Sequence, residues 1–195
     1  RSVTFPRTFS NASGPTSGSI DVSEFRGCEN LKYVTAANPS LKITGGEVDT
    51  SYTFDSFKAD VPAEFYLESV DSSQFHTCAT NNYMAFSYLN SDGTKQNLYE
   101  LTVQETSGKK AVYRVNSSNQ LVYCEFDSGL ETVTMPDTVG PYQITVIGSG
   151  IFRNNCYLRR ITIPSSITTI EDSAFKGCHN LKDVIFKEPV NVTSI

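Results

Sequence analysis

The chain of 195 residues has no tryptophan, two histidines, two methionines and five cysteines, and each scarcity removes a class of chemistry. Only His76 and His179 ordinarily titrate near neutral pH, so acid–base catalysis has few candidates. His76 and Cys78 lie two apart and fall on different faces of any helix that carries them. The cysteines, Cys28, Cys78, Cys124, Cys156 and Cys178, are odd in number and form no C-x-x-C. Neither a zinc knuckle nor a dense disulfide framework is encoded, and one thiol at least stays unpaired within the chain. No apolar run approaches the ~18 residues that span a bilayer. Lys and Arg number 16 against 21 Asp and Glu, a net charge of -5. The cations are scattered, so no basic face invites nucleic acid or an anionic membrane. Phosphate loops and dinucleotide fingerprints are absent, Gly148-Ser-Gly150 is not a nucleophile elbow, and Asn90-Ser-Asp-Gly93 lacks the spaced carboxylates of a calcium loop. No metal or cofactor is expected. No charged-then-apolar leader follows Arg1, so any secretion signal is expected outside this stretch.

What is present is a repeat. Phe25-Arg-Gly-Cys-Glu-Asn-Leu-Lys-Tyr-Val34 matches Phe175-Lys-Gly-Cys-His-Asn-Leu-Lys-Asp-Val184 at seven of ten positions. A further copy runs from Phe152 to Ile161, placing Ile147 with Ile170, Leu158 with Leu181 and Ile161 with Val184, a period of 23. A weaker unit holds Leu130, Val133, Met135 and Pro136, with about five extra residues near Gly140 to Gln143. Val3-Thr-Phe-Pro6 reads like Ile161-Thr-Ile-Pro164, and the Ser/Gly-rich stretch Ser10 to Ser19 like an insertion. Because Cys28 and Cys178 recur with their neighbours, both are expected to be small buried hydrophobes. His179 occupies a variable position and is expected on an exposed loop. A single unit buries too little apolar surface to fold alone, so units must stack, pair their strands and be capped. The final Val192-Thr-Ser-Ile195 falls within a unit, suggesting a degenerate or shortened last coil.

The run Ile161-Thr-Ile-Pro-Ser-Ser-Ile-Thr-Thr-Ile-Glu-Asp-Ser-Ala-Phe-Lys-Gly-Cys-His-Asn-Leu-Lys-Asp-Val184 resembles the BspA-type leucine-rich repeats of bacterial surface proteins. Tyr113 to Tyr123, followed by Val133-Thr-Met-Pro136, is similar to the hairpin that often leads into such repeats. The resemblance implies a leucine-rich-repeat solenoid, mainly β with short helical or irregular convex segments, built on 23-residue units and interrupted by a non-repeat, β-rich middle segment. The expected division is 1–45, an N-terminal repeat piece with its Ser/Gly-rich insertion; 46–112, a degenerate, capping or inserted α+β segment; and 113–195, the C-terminal repeats.

In the middle segment, Ala63 to Val70 alternates like a strand. Asp71-x-x-Gln74 offers a capping box for a helix that buries Phe75, Cys78 and Ala79 and ends at Asn81-Asn82. Met84 to Leu89 and Leu98 to Val103 read as strands about the turn Asn90 to Gly93, and Ser107-Gly108 turns the chain toward Ala111 to Val115.

If Leu158, Ile161 and Ile163 face inward, strand alternation turns Arg160 and Thr162 outward from the concave sheet, with equivalents at Tyr33 and Thr35, Thr132 and Thr134, and Asp183 and Ile185. A fixed scaffold with variable outward positions suits recognition of a partner. A one-sided sheet needs polar outward residues even without a ligand. The resemblance implies a non-catalytic, extracellular or cell-surface module, a monomer, binding a protein or glycan in an adhesin-like role. The alternative is a structural spacer or the targeting module of a larger secreted enzyme.

Overall fold

The computed structural model describes residues 1–6 and 18–195. The Ser/Gly-rich insertion lies, up to Ser17, outside the described residues. The chain forms two compact units, Arg1–Asn97 and Leu98–Ile195.

The first unit carries β1 (Ser2–Phe5), β2 (Ser19–Asp21), β3 (Tyr33–Ala36), β4 (Lys42–Thr44), β5 (Tyr66–Val70) and β6 (Ala85–Leu89), with helices α1 (Phe54–Asp60) and α2 (Gln74–Asn81). Strand β3 pairs in parallel with β1 and β5, and β5 with β6. Val3 stands opposite Val34, as Ile161 stands opposite Val184 in the second unit, and Ile20 opposite Ile43 at an offset of 23. Between β4 and β5 the connection is long enough to hold α1. Its Phe57 has no exposed surface and packs between Phe25 (5.8 Å between ring centres) and Phe65 (5.1 Å, edge on). Asp60, at the end of α1, accepts the Gly27 N–H at 2.7 Å and the Tyr52 hydroxyl at 2.6 Å, fastening the helix to the turn before β3.

Helix α2 buries Phe75, Cys78 and Ala79 as the pattern predicts, but starts two residues later than its capping box. Ser72 adopts a left-handed backbone (φ 56°), which excludes it from a helix. Ser73 becomes the cap, its hydroxyl accepting the His76 N–H, while Asp71 accepts from Ser72.

The second unit opens with an antiparallel meander, β7 (Lys95–Gln104, of which Leu98 onward belongs to this unit), β8 (Lys110–Asn116) and β9 (Gln120–Phe126). It continues through β10 (Thr132–Thr134), the small hairpin β11 (Thr138–Val139) and β12 (Tyr142–Gln143), then β13 (Val146–Ile147), β14 (Arg160–Ile163), β15 (Thr169–Ile170) and β16 (Asp183–Phe186). Two parallel ladders result, β9–β13–β15 and β10–β14–β16. Arg160 pairs with Asp183 and Val146 with Thr169 at offsets of 23, whereas Thr132 pairs with Arg160 at 28, the five extra residues being taken up by the β11–β12 hairpin.

Leu130, Val133, Met135, Ile144, Ile147, Leu158, Ile161, Ile163 and Ile167 are fully buried and form the interior of this unit. Phe126, Phe152 and Phe175 stack one per coil at 5.9 and 4.9 Å with planes nearly parallel. The turn that follows each repeat phenylalanine needs a left-handed residue, supplied by Gly27 (φ 71°) and Gly177 (φ 78°), and in the middle copy by Asn154 (φ 59°). That substitution removes the glycine from the middle copy, where Asn155 stands at the Cys178 position and Cys156 at that of His179. The inward pattern weakens at β16: Val184 is 40 % exposed, because this strand is the edge of its sheet. Cys28 and Cys178 are half-buried rather than enclosed, and Cys178 donates to the Phe152 carbonyl.

Candidate functional site

The residues expected on one outward face fall into the two units and behave differently in each. In the second unit, alternation along β10, β14 and β16 buries Val133, Ile161 and Ile163 and sends their neighbours outward. Thr132, Arg160 and Asp183 form one row and Thr134, Thr162 and Ile185 the next. Thr132, Thr134, Arg160 and Ile185 are exposed, Thr162 and Asp183 half-buried. Arg160 grips Asp183 through Nε at 3.0 Å and Nη2 at 2.8 Å, both to Oδ2. Ile185, 44 % exposed, sits beside this pair as an apolar spot. The face thus offers a cation, an anion, hydroxyls and a branched aliphatic group at fixed spacing.

In the first unit Thr35 is not on an open surface. It is 8 % exposed, because the neighbouring strands carry side chains that close over it. Its hydroxyl donates to Glu68 Oε1 at 2.9 Å, Ser87 donates to Oε2 at 3.2 Å, and Lys95 Nζ lies 2.9 Å from the same oxygen. Glu68 is 2 % exposed, so its charge is tolerated only through these partners. Lys95 also lies 4.7 Å above the Tyr33 ring, and Tyr33 stacks on Tyr66 at 5.1 Å. Tyr33 therefore belongs to a preorganised aromatic and ionic cluster that the repeat pattern did not reveal. Glu68, Ser87 and Lys95 lie in the middle segment, and alternation put Glu68 on the polar side of its strand without any sign of burial.

A comparable row crosses the meander. Glu100 accepts from Arg114 Nε at 2.6 Å, the guanidinium lies 4.6 Å over the Tyr123 ring, and the Tyr123 hydroxyl donates to Glu125 at 2.6 Å.

Several of the groups that chemistry would need are otherwise engaged. His76 Nδ1 lies 3.3 Å from Asp71, its Nε2 lies 3.4 Å from the Tyr88 hydroxyl, and its ring packs 4.6 Å from Phe86, so it is held as a structural histidine. Burial pushes the Cys78 thiol up to about 12 and raises those of Cys124 and Cys178, keeping them protonated and poor nucleophiles at neutral pH. Ser149 does replace Asp172 in the repeat frame, and its hydroxyl donates to the Asp172 carbonyl. His179 is exposed on a loop. Among the described residues no cluster of three His, Cys, Asp or Glu could hold a metal, and no helix is long and apolar enough to cross a membrane.

Residues 123–195 match the family model of the BspA type leucine rich repeat region (6 copies). No curated protein matches the chain significantly. Among solved structures, a leucine-rich repeat protein from Bacteroides capillosus is 26% identical over 45% of this chain and 66% of its own, with a TM-score of 0.34. A leucine rich cell surface protein from Faecalibacterium prausnitzii is 26% identical over 47% of this chain, with a TM-score of 0.35. The chain spans about two thirds of the first of these and a quarter of the second.

Proposed function

We propose, on the match of residues 123–195 to the BspA type leucine rich repeat region, that this chain is a non-catalytic binding module that works outside the cell. It binds a protein or glycan partner through the outward rows of β10, β14 and β16, in an adhesin-like role. The observation that carries this reading is the sheet face itself. Arg160, Asp183, Thr134, Thr162 and Ile185 project from paired parallel strands whose backbone positions are fixed, so the face costs little ordering on binding. The apolar Ile185 on the edge strand, beside the Arg160–Asp183 pair, supports reading this face as an interaction surface.

The test is binding of the folded chain to immobilised extracellular-matrix proteins, mucins and glycans, beside an Arg160→Ala variant of matched stability. Saturable binding lost in the variant supports the reading. Binding unchanged by Arg160→Ala removes the function from this face, and no binding to any surface favours the spacer or targeting role.

A further inference from the structure

The first unit contains a cavity of about 530 Å³ where the carboxyl ends of three adjacent parallel strands, β3, β5 and β6, open into loops. None of its walls belongs to the sheet face described above. Its floor is apolar, made by Ala37, Pro39, Val70 and Leu89. Asn38, Asp71, Asn90, Ser91 and Gln96 complete the lining with polar groups.

The hydrogen-bonding state of those polar groups decides what can bind. Asp71 uses Oδ1 for the Ser72 N–H at 2.7 Å and for His76 at 3.3 Å, leaving Oδ2 without a partner among the described residues. Asn90 spends its amide N–H on Thr94 Oγ1 at 2.8 Å, and Gln96 spends its own on the Leu89 carbonyl at 3.0 Å. Both keep a carbonyl oxygen open. The Ser91 hydroxyl has no partner among the described residues. Three open acceptors and one hydroxyl therefore surround an apolar floor, carried on separate chain segments.

This pattern selects among ligand classes. An extended peptide presents donors and acceptors in equal number, and beyond the spent amides of Asn90 and Gln96 its carbonyls would find side-chain donors in this lining only at Asn38 and Ser91. An ammonium is a point charge that uses a few acceptors and leaves the apolar floor of Ala37, Pro39, Val70 and Leu89 uncovered. An anionic group would meet one carboxylate and no Lys or Arg in the lining. A pyranose ring has several hydroxyls able to donate outward and a C–H face able to lie on apolar side chains, and the cavity has the size of a small-molecule site. We propose that the cavity at the ends of β3, β5 and β6 binds a neutral hexopyranose unit. The site lies in the first unit, so it stands or falls apart from the sheet face carried by the second.

The experiment is a titration of the ¹⁵N-labelled full chain with the methyl glycosides of glucose, galactose and mannose, each to about 50 mM, since so small a ligand binds with a Kd on the order of 1 mM. N-acetylneuraminic acid and a lysine-containing tripeptide serve as comparators. Saturable shifts confined to the amides of Ala37, Asn38, Asp71, Asn90, Ser91 and Gln96, produced by at least one neutral glycoside, are expected. Ser91→Trp, which puts bulk over the mouth from an exposed turn, weakens that binding about tenfold or more, and Gln96→Ala, also exposed, weakens it about threefold. The second variant reads the site even if the first disturbs the turn. Absence of saturable shifts with all three glycosides overturns the proposal, as do shifts elsewhere on the chain, unchanged binding in both variants, or tighter binding of either comparator.

Discussion

Arg160 and Asp183 lie 23 residues apart in sequence and side by side in space, the guanidinium placing Nε and Nη2 on a single carboxylate oxygen at 3.0 and 2.8 Å. Parallel pairing of β14 with β16 sets the two side chains in one outward row, so the ion pair is a direct product of the repeat register. The two side chains are 53% and 46% exposed, and a pair this open to water stabilises by under about 1 kcal/mol. Arg160→Ala is expected to move the thermal midpoint by no more than a few degrees, as checked by circular dichroism.

The Glu68 cluster predicts the opposite balance. Removing Lys95 leaves a carboxylate that is 2 % exposed with, among the described residues, the hydroxyls of Thr35 and Ser87 to stabilise it. Lys95 is itself partly in water, which tempers the loss, so Lys95→Met is expected to cost about 1–3 kcal/mol in urea denaturation. Adding Glu68→Gln to that variant should return part of the loss, because the amide removes the stranded charge. A double variant no more stable than Lys95→Met alone would show that the charge is not what the lysine answers.

Acid should weaken the first unit. Burial pushes the Asp21 carboxyl up, but hydrogen bonds from Ser23, Val48 and Glu47 outweigh it and hold the group below 3.8. The Tyr52 hydroxyl and the Gly27 N–H lower Asp60 in the same way. A carboxylate depressed in the folded state contributes stability that is complete above its unfolded value and disappears as pH falls through its folded one. Urea midpoints should therefore drop as pH falls below about 4, and Asp21→Asn should flatten that drop while lowering stability at pH 7. Glu105 in the second unit works in the other direction, since burial raises its carboxyl, and the stability present below its unfolded value is lost as pH rises through its folded one.

Gly148 tests the tightness of the stack. A Cβ there would sit 2.5 Å from the Leu121 carbonyl oxygen, a backbone atom that cannot swing away. Gly148→Ala is expected to destabilise by about 1–3 kcal/mol although Gly148 is outside the left-handed region. Denaturant midpoints equal to those of the unmodified chain would show that neighbouring coils are not held at this spacing.

Much of the second unit was legible in the sequence because one set of apolar residues recurs. The alignment of Ile161 with Val184 and of Ile147 with Ile170 reappears as backbone pairing, and the extra residues after Pro136 reappear as a hairpin. Asn154 hid a turn by doing the work of glycine, since asparagine also tolerates a left-handed backbone. The first unit was harder to read. Tyr33 and Thr35 share a repeat frame with Asp183 and Ile185, but burial there is decided by β5, β6 and Lys95, which the repeat does not contain. Alternation reports which side of a strand a residue takes and is silent on what covers that side.

The most direct test of the sheet face is a charge exchange, Arg160→Asp with Asp183→Arg, which keeps an ion pair across β14 and β16 while inverting the order of charge presented to a partner. The exchanged chain is expected to retain its melting curve and to lose binding to the partner that the unmodified chain captures from the matrix and glycan panel. Equal affinity in the exchanged and unmodified chains, with both folded, would contradict the assignment of binding to this face.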